Sequence, residues 1–273
     1  MILLHVIAVA LYGAAAFVSW PVTAERGASG PAPHRVPAFA ATWLLAVALT
    51  LHAWLAFRSV VTPEGLDVSL PNAVSVVAGL VAAVAWVSGL LATLPAIGTV
   101  VLPVAAVASL LPALIVNAHR FAYAGESLAA AHVAVALLSY SMFLVAALLA
   151  LVLMGLEKRL RRHLPEAKAP AVPPLLTLER YLFRLVAAGF ALLTLTLASG
   201  MLFTEQLFGR PLVFNHKSVF SVLGWLTFGA LLLGRWRYGW RGRVALRWII
   251  AGTVFVFLAY LGSKFVLEVL LGR

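Results

Sequence analysis

The chain has 273 residues, of which 63% are hydrophobic and 11% charged, with a formal net charge of +11. A mean hydropathy of +1.04 places it among integral membrane proteins. It contains no cysteine, which excludes disulfides, dithiol redox chemistry, iron–sulfur ligation and covalent haem attachment through Cys-x-x-Cys-His.

A membrane-crossing helix needs about 20 predominantly apolar residues. In chain order, apolar runs lie near residues 2–20, 38–57, 72–93, 97–117, 128–155, 185–204, 218–234 and 246–269, separated by Pro, Gly or charge clusters. Strands of a β-barrel would be about half as long and would alternate apolar with polar residues, which these runs do not. The expected fold is all-α, a polytopic membrane helical bundle of about eight transmembrane helices, in a single integral membrane domain over residues 1–273. The first run has the length of a signal peptide, but Met1-Ile2-Leu3-Leu4-His5 offers no basic n-region, so it is expected to remain as a span. Spans 3 and 4 are joined only by Thr93-Leu94-Pro95-Ala96 and predict a tight hairpin, and Pro103 and Pro112 predict a kinked span 4. The stretch from Leu164 to Glu179, with Pro165, Pro170, Pro173 and Pro174, reads as a linker and docking surface.

Basic residues set the expected orientation, because cytoplasmic loops retain positive charge. Seven lie from Lys158 to Arg184, between spans 5 and 6, and five from Arg235 to Arg247, between spans 7 and 8. With Arg26 and Arg35, these fall on one side only if both termini lie outside. The excess charge then faces anionic lipid head groups, and Trp236, Tyr238, Trp240 and Trp248 among the arginines predict an interfacial aromatic belt. Membrane lipids are expected partners. No nucleic-acid motif, Walker A loop or dinucleotide glycine fingerprint is present.

On this topology five of the seven histidines, His5, His52, His119, His132 and His216, fall toward the outer ends of spans, whereas His34 and His163 lie in basic loops. Imidazoles from several helices at similar depth can converge on one metal or haem iron. His132 is the foremost candidate, because an ionisable group inside an apolar helix is directed into the bundle. Ala136 and Ser139 share its face. Its alternative is a structural hydrogen bond across helices. His216, in the run Phe214-Asn215-His216-Lys217-Ser218, is either a ligand or a solvated residue beside a cap supplied by Asn215 or Ser218. His52, between Leu51 and Trp54, is either a ligand or an interfacial residue. His5 and His119 are expected to be bystanders. Thr194, Thr196 and Ser199 are expected to bond back to their own helix, with Gly200 allowing close packing. Lys264 and Glu268 are placed to pair.

The C-terminal third carries a resemblance. His216-Lys217-Ser218, Trp225, Arg235, Gly239-Trp240-Arg241-Gly242 and the closing helix through Leu261-Gly262 resemble the cytochrome c assembly superfamily of CcsA and CcmC type, in its HemX-like or YpjD-like branch. In the haem-delivering members a tryptophan-rich loop ending in Trp-Asp-Pro-Lys precedes the penultimate helix. Here Lys217 keeps the place of that lysine, Asn215-His216 stands where Asp-Pro would be, and no tryptophan is present, so the platform that cradles the porphyrin is either missing or replaced by Phe208 and Phe214. The resemblance implies haem as cofactor, with His132 and His216 as axial ligands to its iron and His52 in reserve. It further implies a non-enzymatic protein of the bacterial inner membrane that handles haem at its outer face and works with cytochrome assembly proteins. The competing expectation is an accessory or scaffold subunit of a membrane transport system whose histidines are structural.

Overall fold

The computed structural model describes residues 2–24, 38–62, 65–91, 97–115, 120–121, 127–161, 175–202 and 216–266. Among them the fold is all-α apart from three very short strands. The helices are α1 (Ile2–Ala24), α2 (Ala38–Val60), α3 (Leu70–Leu91), α4 (Gly98–Leu114), α5 (Ser127–Arg161), α6 (Leu175–Leu202), α7 (His216–Tyr238) and α8 (Gly242–Phe257). A π-helical segment, Leu258–Gly262, and a last turn, Ser263–Phe265, continue α8. Among the described residues six helices are long and apolar enough to cross a membrane, whereas the apolar stretches Ile2–Val18 and Gly98–Leu114 are shorter. Each helix overlaps one expected apolar run.

The clearest departure is at α6, which begins at Leu175 rather than near 185. Its first turns carry Glu179, Arg180 and Arg184, the charges that mark a loop in a hydropathy reading. They are accommodated because long basic side chains reach the interface while their stems stay on apolar surface, and because Glu179 has a partner on α7. The segment expected to be a linker is therefore helical from Leu175 onward; its earlier part, residues 164–174, lies outside the described residues. So does the whole of the expected tight turn Thr93-Leu94-Pro95-Ala96 between spans 3 and 4. Helix α4 runs through Pro103 and Pro112 as one helix.

Helix α5 is the axis of the bundle. Half of its apolar window is buried, against 17% for α2, and it packs on α3, α6 and α8. Around it, α1 packs on α2 and α4, α3 on α2 and α4, and α7 on α6 and α8. At mid-bundle the rings of Phe143 and Phe228 stack 3.8 Å apart and nearly parallel, at 6°. A Cβ on Gly189 of α6 would lie 3.0 Å from Phe143, and one on Gly252 of α8 would lie 2.8 Å from Phe228. Two glycines thus bracket two stacked rings, and four helices meet there. Small residues permit such close approach where lipid gives helices no hydrophobic reason to associate.

The two ends of the bundle differ. One holds His5, His52, His132 and His216 and is closed by a three-stranded antiparallel sheet in the order β1-β2-β3, formed by Val61–Thr62, Gly65–Asp67 and Arg120–Phe121. Gly65 has φ 138°, which only glycine adopts without strain. Asn72 Nδ2 donates to the Ser59 and Asp67 carbonyls at 3.2 and 3.1 Å, fixing the α2–α3 connection.

The opposite end is basic, and Arg235 organises it. Its Nη1 donates to Glu179 Oε1 at 2.8 Å and to the Trp240 carbonyl at 3.1 Å, while its guanidinium lies 4.4 Å from the Phe183 ring centroid. The α7–α8 turn needs positive φ at Gly239 and Gly242, 67° and 56°, so both glycines of the Gly-Trp-Arg-Gly run are conformational requirements. Trp240 folds back over Gly234, where any Cβ would collide with the indole, and packs 5.3 Å from Trp248. The expected aromatic belt therefore divides. Trp236 and Tyr238 are 82% and 74% exposed, as belt residues should be, whereas Trp240 and Trp248 pack against the core.

Overpacking a filled site costs about 1–3 kcal/mol, so Gly252→Ala should lower thermal stability in detergent by that amount. Gly155→Ala should leave it unchanged or higher, because nothing lies within 4 Å of the Cβ it would add. Equal effects would remove the ring stack from its central place.

Candidate functional site

The described histidines occupy three kinds of environment. His132 lies about one turn into α5 and is half-buried. Its Nδ1 is 2.7 Å from Ser199 Oγ on α6, and its Cε1 would sit 3.5 Å from a Cβ on Gly200. The same α5 face carries Ser139, whose hydroxyl donates to the Gly189 carbonyl at 2.9 Å. His132 and Ser139 thus both face α6, as their seven-residue spacing predicts.

The Ser199 contact bears on the tautomer as well as on position. Ser199 Oγ also lies 3.1 Å from the Thr196 carbonyl: with its single hydroxyl hydrogen directed there, its oxygen accepts from an imidazole Nδ1–H, and with that hydrogen directed to Nδ1 the ring carries its proton on Nε2. The first of these tautomers has its lone pair on Nε2. A neutral imidazole with one nitrogen held by a neighbouring acceptor and the lone pair on the other is the form that ligates a metal. Thr194 and Thr196 bond back to the Phe190 and Leu192 carbonyls, as expected. Thr194 also accepts from Trp225 Nε1 at 2.9 Å, which ties α6 to α7.

His216 opens α7 and is exposed. The Trp225–Thr194 bond allows its depth to be related to that of His132. Ser199 lies five residues beyond Thr194, ~7.5 Å along α6, and His216 lies nine residues before Trp225, ~13.5 Å along the antiparallel α7. The two imidazoles therefore sit at depths that differ by roughly one helical turn. Lys217 is half-buried in the first turn of α7. Asn215, Phe208, Phe214, His34, His119, His163 and Glu268, and the side chain of Lys264, lie outside the described residues.

His52 differs from its expectation. It is 1% exposed, not interfacial, because its ring points into the bundle between α1 and α3. Tyr12 Oη lies 2.9 Å from Nδ1 and Ser75 Oγ 3.0 Å from Nε2. A Cβ on Gly79 would come within 3.2 Å of the ring. In a neutral imidazole one nitrogen donates and the other accepts, so both are used whichever tautomer forms. His5, expected to be a bystander, is also buried. Its Nδ1 donates to the Ser109 carbonyl of α4 at 2.5 Å, three residues before Pro112. Proline in a helix interior weakens the bonding of preceding carbonyls, and neighbouring helices re-satisfy them. The carbonyl that Pro112 leaves without a donor is that of Ala108, and His5 meets the next one, Ser109, across 104 residues of sequence.

Tyr12, Ser75 and the Ser199 contact were not legible from sequence, because nothing in a hydroxyl's own helix says which neighbour it faces. Among the described residues no three His, Cys, Asp or Glu side chains come together as a metal cluster. The geometry is instead that of one oriented imidazole, His132, with a second, His216, near the same end.

A polar bond between membrane helices contributes about 1–2 kcal/mol. His52→Leu and Tyr12→Phe should each destabilise by about that amount, and the double variant by less than the sum. Strict additivity in thermal unfolding would show that the 2.9 Å contact carries no coupling.

The chain matches the family model described as "Cytochrome C assembly protein" over residues 8–271. It is 35% identical over 139 residues to the inner membrane protein YpjD of Escherichia coli strain K12, a match covering 51% of this chain and 52% of that relative. A 28.8 kDa protein of Azospirillum brasilense is 36% identical over 141 residues, 52% of each chain. The cytochrome c biogenesis protein CcsA of Gloeobacter violaceus is 30% identical over 92 residues, 34% of this chain and 27% of the relative. The chain spans about half the length, or less, of these curated relatives, and no solved structure matches it. Since the family model covers nearly all of the sequence, from α1 through the end of α8, the chain is a membrane protein of the cytochrome c assembly family.

Proposed function

We propose that this protein binds haem at the histidine end of the bundle and holds or passes it on during cytochrome c assembly or haem balance, without catalysing a reaction of its own. The observation that carries this reading is the His132–Ser199 pair, an imidazole oriented inside an apolar bundle; the reading takes the tautomer with its proton on Nδ1 and its lone pair on Nε2. His132 and His216, at the start of α7, would be the residues that hold the haem iron. Haem, when bound, supplies an iron that accepts two imidazole nitrogens and a porphyrin face suited to an apolar surface. His52 is the weaker candidate, because ligation would require it to release Tyr12 or Ser75.

The residues divide the work. Ser199 holds the His132 ring against rotation and keeps the proton on Nδ1, so that no deprotonation precedes binding. The exposure of His216 lets its ring meet a ligand arriving from outside the bundle. In this reading the protein crosses the inner membrane eight times with both termini outside, so the histidine end faces outward and the arginine-rich end faces the cytoplasm. Placement in the inner membrane follows the name of the Escherichia coli relative, and the orientation follows the basic loops.

Visible absorption of the detergent-purified protein with added haem tests the proposal. The wild type should develop a Soret band that is lost or shifted in His132→Ala and in His216→Ala. Ser199→Ala should lower haem affinity about 10–100-fold, the usual effect of removing the group that orients a ligating histidine. A wild type that stays colourless, yet co-purifies with a second membrane protein, would replace this reading with that of a scaffold subunit.

A further inference from the structure

Helices α5 and α7 both start at the histidine end and run in the same direction, with His132 and His216 near their starts. Phe143 follows His132 by eleven residues, ~16.5 Å of helix, and Phe228 follows His216 by twelve, ~18 Å. Since those two rings stack, the imidazoles lie at levels that agree within one helical turn. Level alone does not make a pair; the separation of the two helices must also be set. Nearer the histidines than the stack, the Tyr140 hydroxyl is hydrogen-bonded to the Ser221 side chain. This link from α5 to α7 starts ~12 Å beyond His132 and ~7.5 Å beyond His216. The Tyr140 ring rests against that of Tyr260, with centroids 5.6 Å apart at 41°. Tyr260 is the middle residue of the π-helical segment Leu258–Gly262, which packs on α3, α7 and α8. The Ser263 hydroxyl, 3.1 and 3.0 Å from the Ala259 and Tyr260 carbonyls, supplies a donor where the wider π turn disturbs the regular backbone bonding. Leu261 and Gly262, which belong to the run that signals the family, lie in this segment. The space beside the two tyrosine rings is about 10 Å³, at the limit of what admits one water, so packing holds the Tyr140 ring in place.

We propose that Tyr140 is a positioning residue for the histidine pair: its bond to Ser221, with its ring braced by Tyr260, sets the separation of α5 and α7 on which any ligand shared by His132 and His216 depends. Tyr140 touches no ligand in this account and acts through the helices that carry the imidazoles. A constellation of side chains works only when its supporting residues are locked by packing and hydrogen bonds. Tyr140 has both, the packing from Tyr260 and the bond from Ser221. Without the Ser221 bond, the Phe143–Phe228 stack would still join α5 to α7 at mid-bundle, but the histidine ends of the two helices would be free to part. The inference deepens the haem reading and rests on it for the identity of the ligand; the helix separation is a property of the chain by itself.

The chain has no cysteine, so spin labels can be placed uniquely through Ala131→Cys on α5 and Val219→Cys on α7, both at exposed positions. Double electron–electron resonance of the full chain in detergent, without haem, then measures the helix separation. The parent should give one narrow distance. Tyr140→Phe and Ser221→Ala should each shift or broaden it by more than about 1 Å, the scale of misplacement at which a site loses function. Ser221→Thr, which keeps the hydroxyl, should restore the parent distance. Tyr181→Phe removes an interhelical bond of 2.6 Å to Ser88 near the other end and should leave the distance unchanged. With haem added, Tyr140→Phe should lower affinity about tenfold, the low end of what losing an orienting group costs a ligating histidine. The inference is overturned if Tyr140→Phe and Ser221→Ala leave the distance as it was, if Tyr181→Phe shifts it equally, or if haem affinity ignores a shifted distance. A wild type that binds no haem would defeat the haem reading alone, and the distances would still decide the role of Tyr140. Should Tyr140→Phe fail to fold, the comparison of Ser221→Ala with Ser221→Thr decides.

Discussion

A hydroxyl or imidazole buried between apolar helices has no water to turn to, and its partner must come from its own backbone or from another helix. The rest of this structure depends on how that constraint is met. Thr194 and Thr196 turn back to their own helix. Tyr12, His52 and Ser75 link three helices into one chain of hydrogen bonds, and His5 bonds a carbonyl near the proline of α4. His132 and Ser199 join α5 to α6. Polar atoms that would be liabilities if left alone thereby set which helices are neighbours and at what height, while the Phe143–Phe228 stack fills the middle between two glycines.

The same constraint gives the two histidines different settings. His52 is fully enclosed, with both nitrogens engaged. His132 is half-buried, with Nδ1 on Ser199, whose Oγ also lies within reach of the Thr196 carbonyl. Burial alone would rank His52 first. In the proposed reading His132 comes first, because it is only half-buried and Ser199 anchors one of its nitrogens.

Much of the fold was legible because hydropathy is a property of each segment by itself. Eight apolar runs became eight helices, and the shared face of His132 and Ser139 followed from their spacing. The start of α6 was misplaced because Glu179, Arg180 and Arg184 read as a loop, and only the pair with Arg235 explains why the helix includes them. The Gly239-Trp240-Arg241-Gly242 run signalled the family, but its physical meaning emerged only in three dimensions: two positive-φ glycines, an indole over Gly234 and a carbonyl held by Arg235. These residues sit at the end opposite the histidines. What identifies the family in this region is thus the brace of the scaffold, and the candidate ligands lie at the other end. Contacts such as His5 with Ser109 join positions far apart in sequence and leave no local trace.

Electron paramagnetic resonance of the ferric haem-loaded protein tests the central claim, oriented ligation by His132, most directly. The account predicts a low-spin signal of two imidazole ligands that persists in His52→Leu and gives way to a high-spin signal in His132→Ala. A wild-type signal that is unchanged by His132→Ala but lost in His52→Leu would contradict it and assign the iron to the Tyr12–Ser75 site instead.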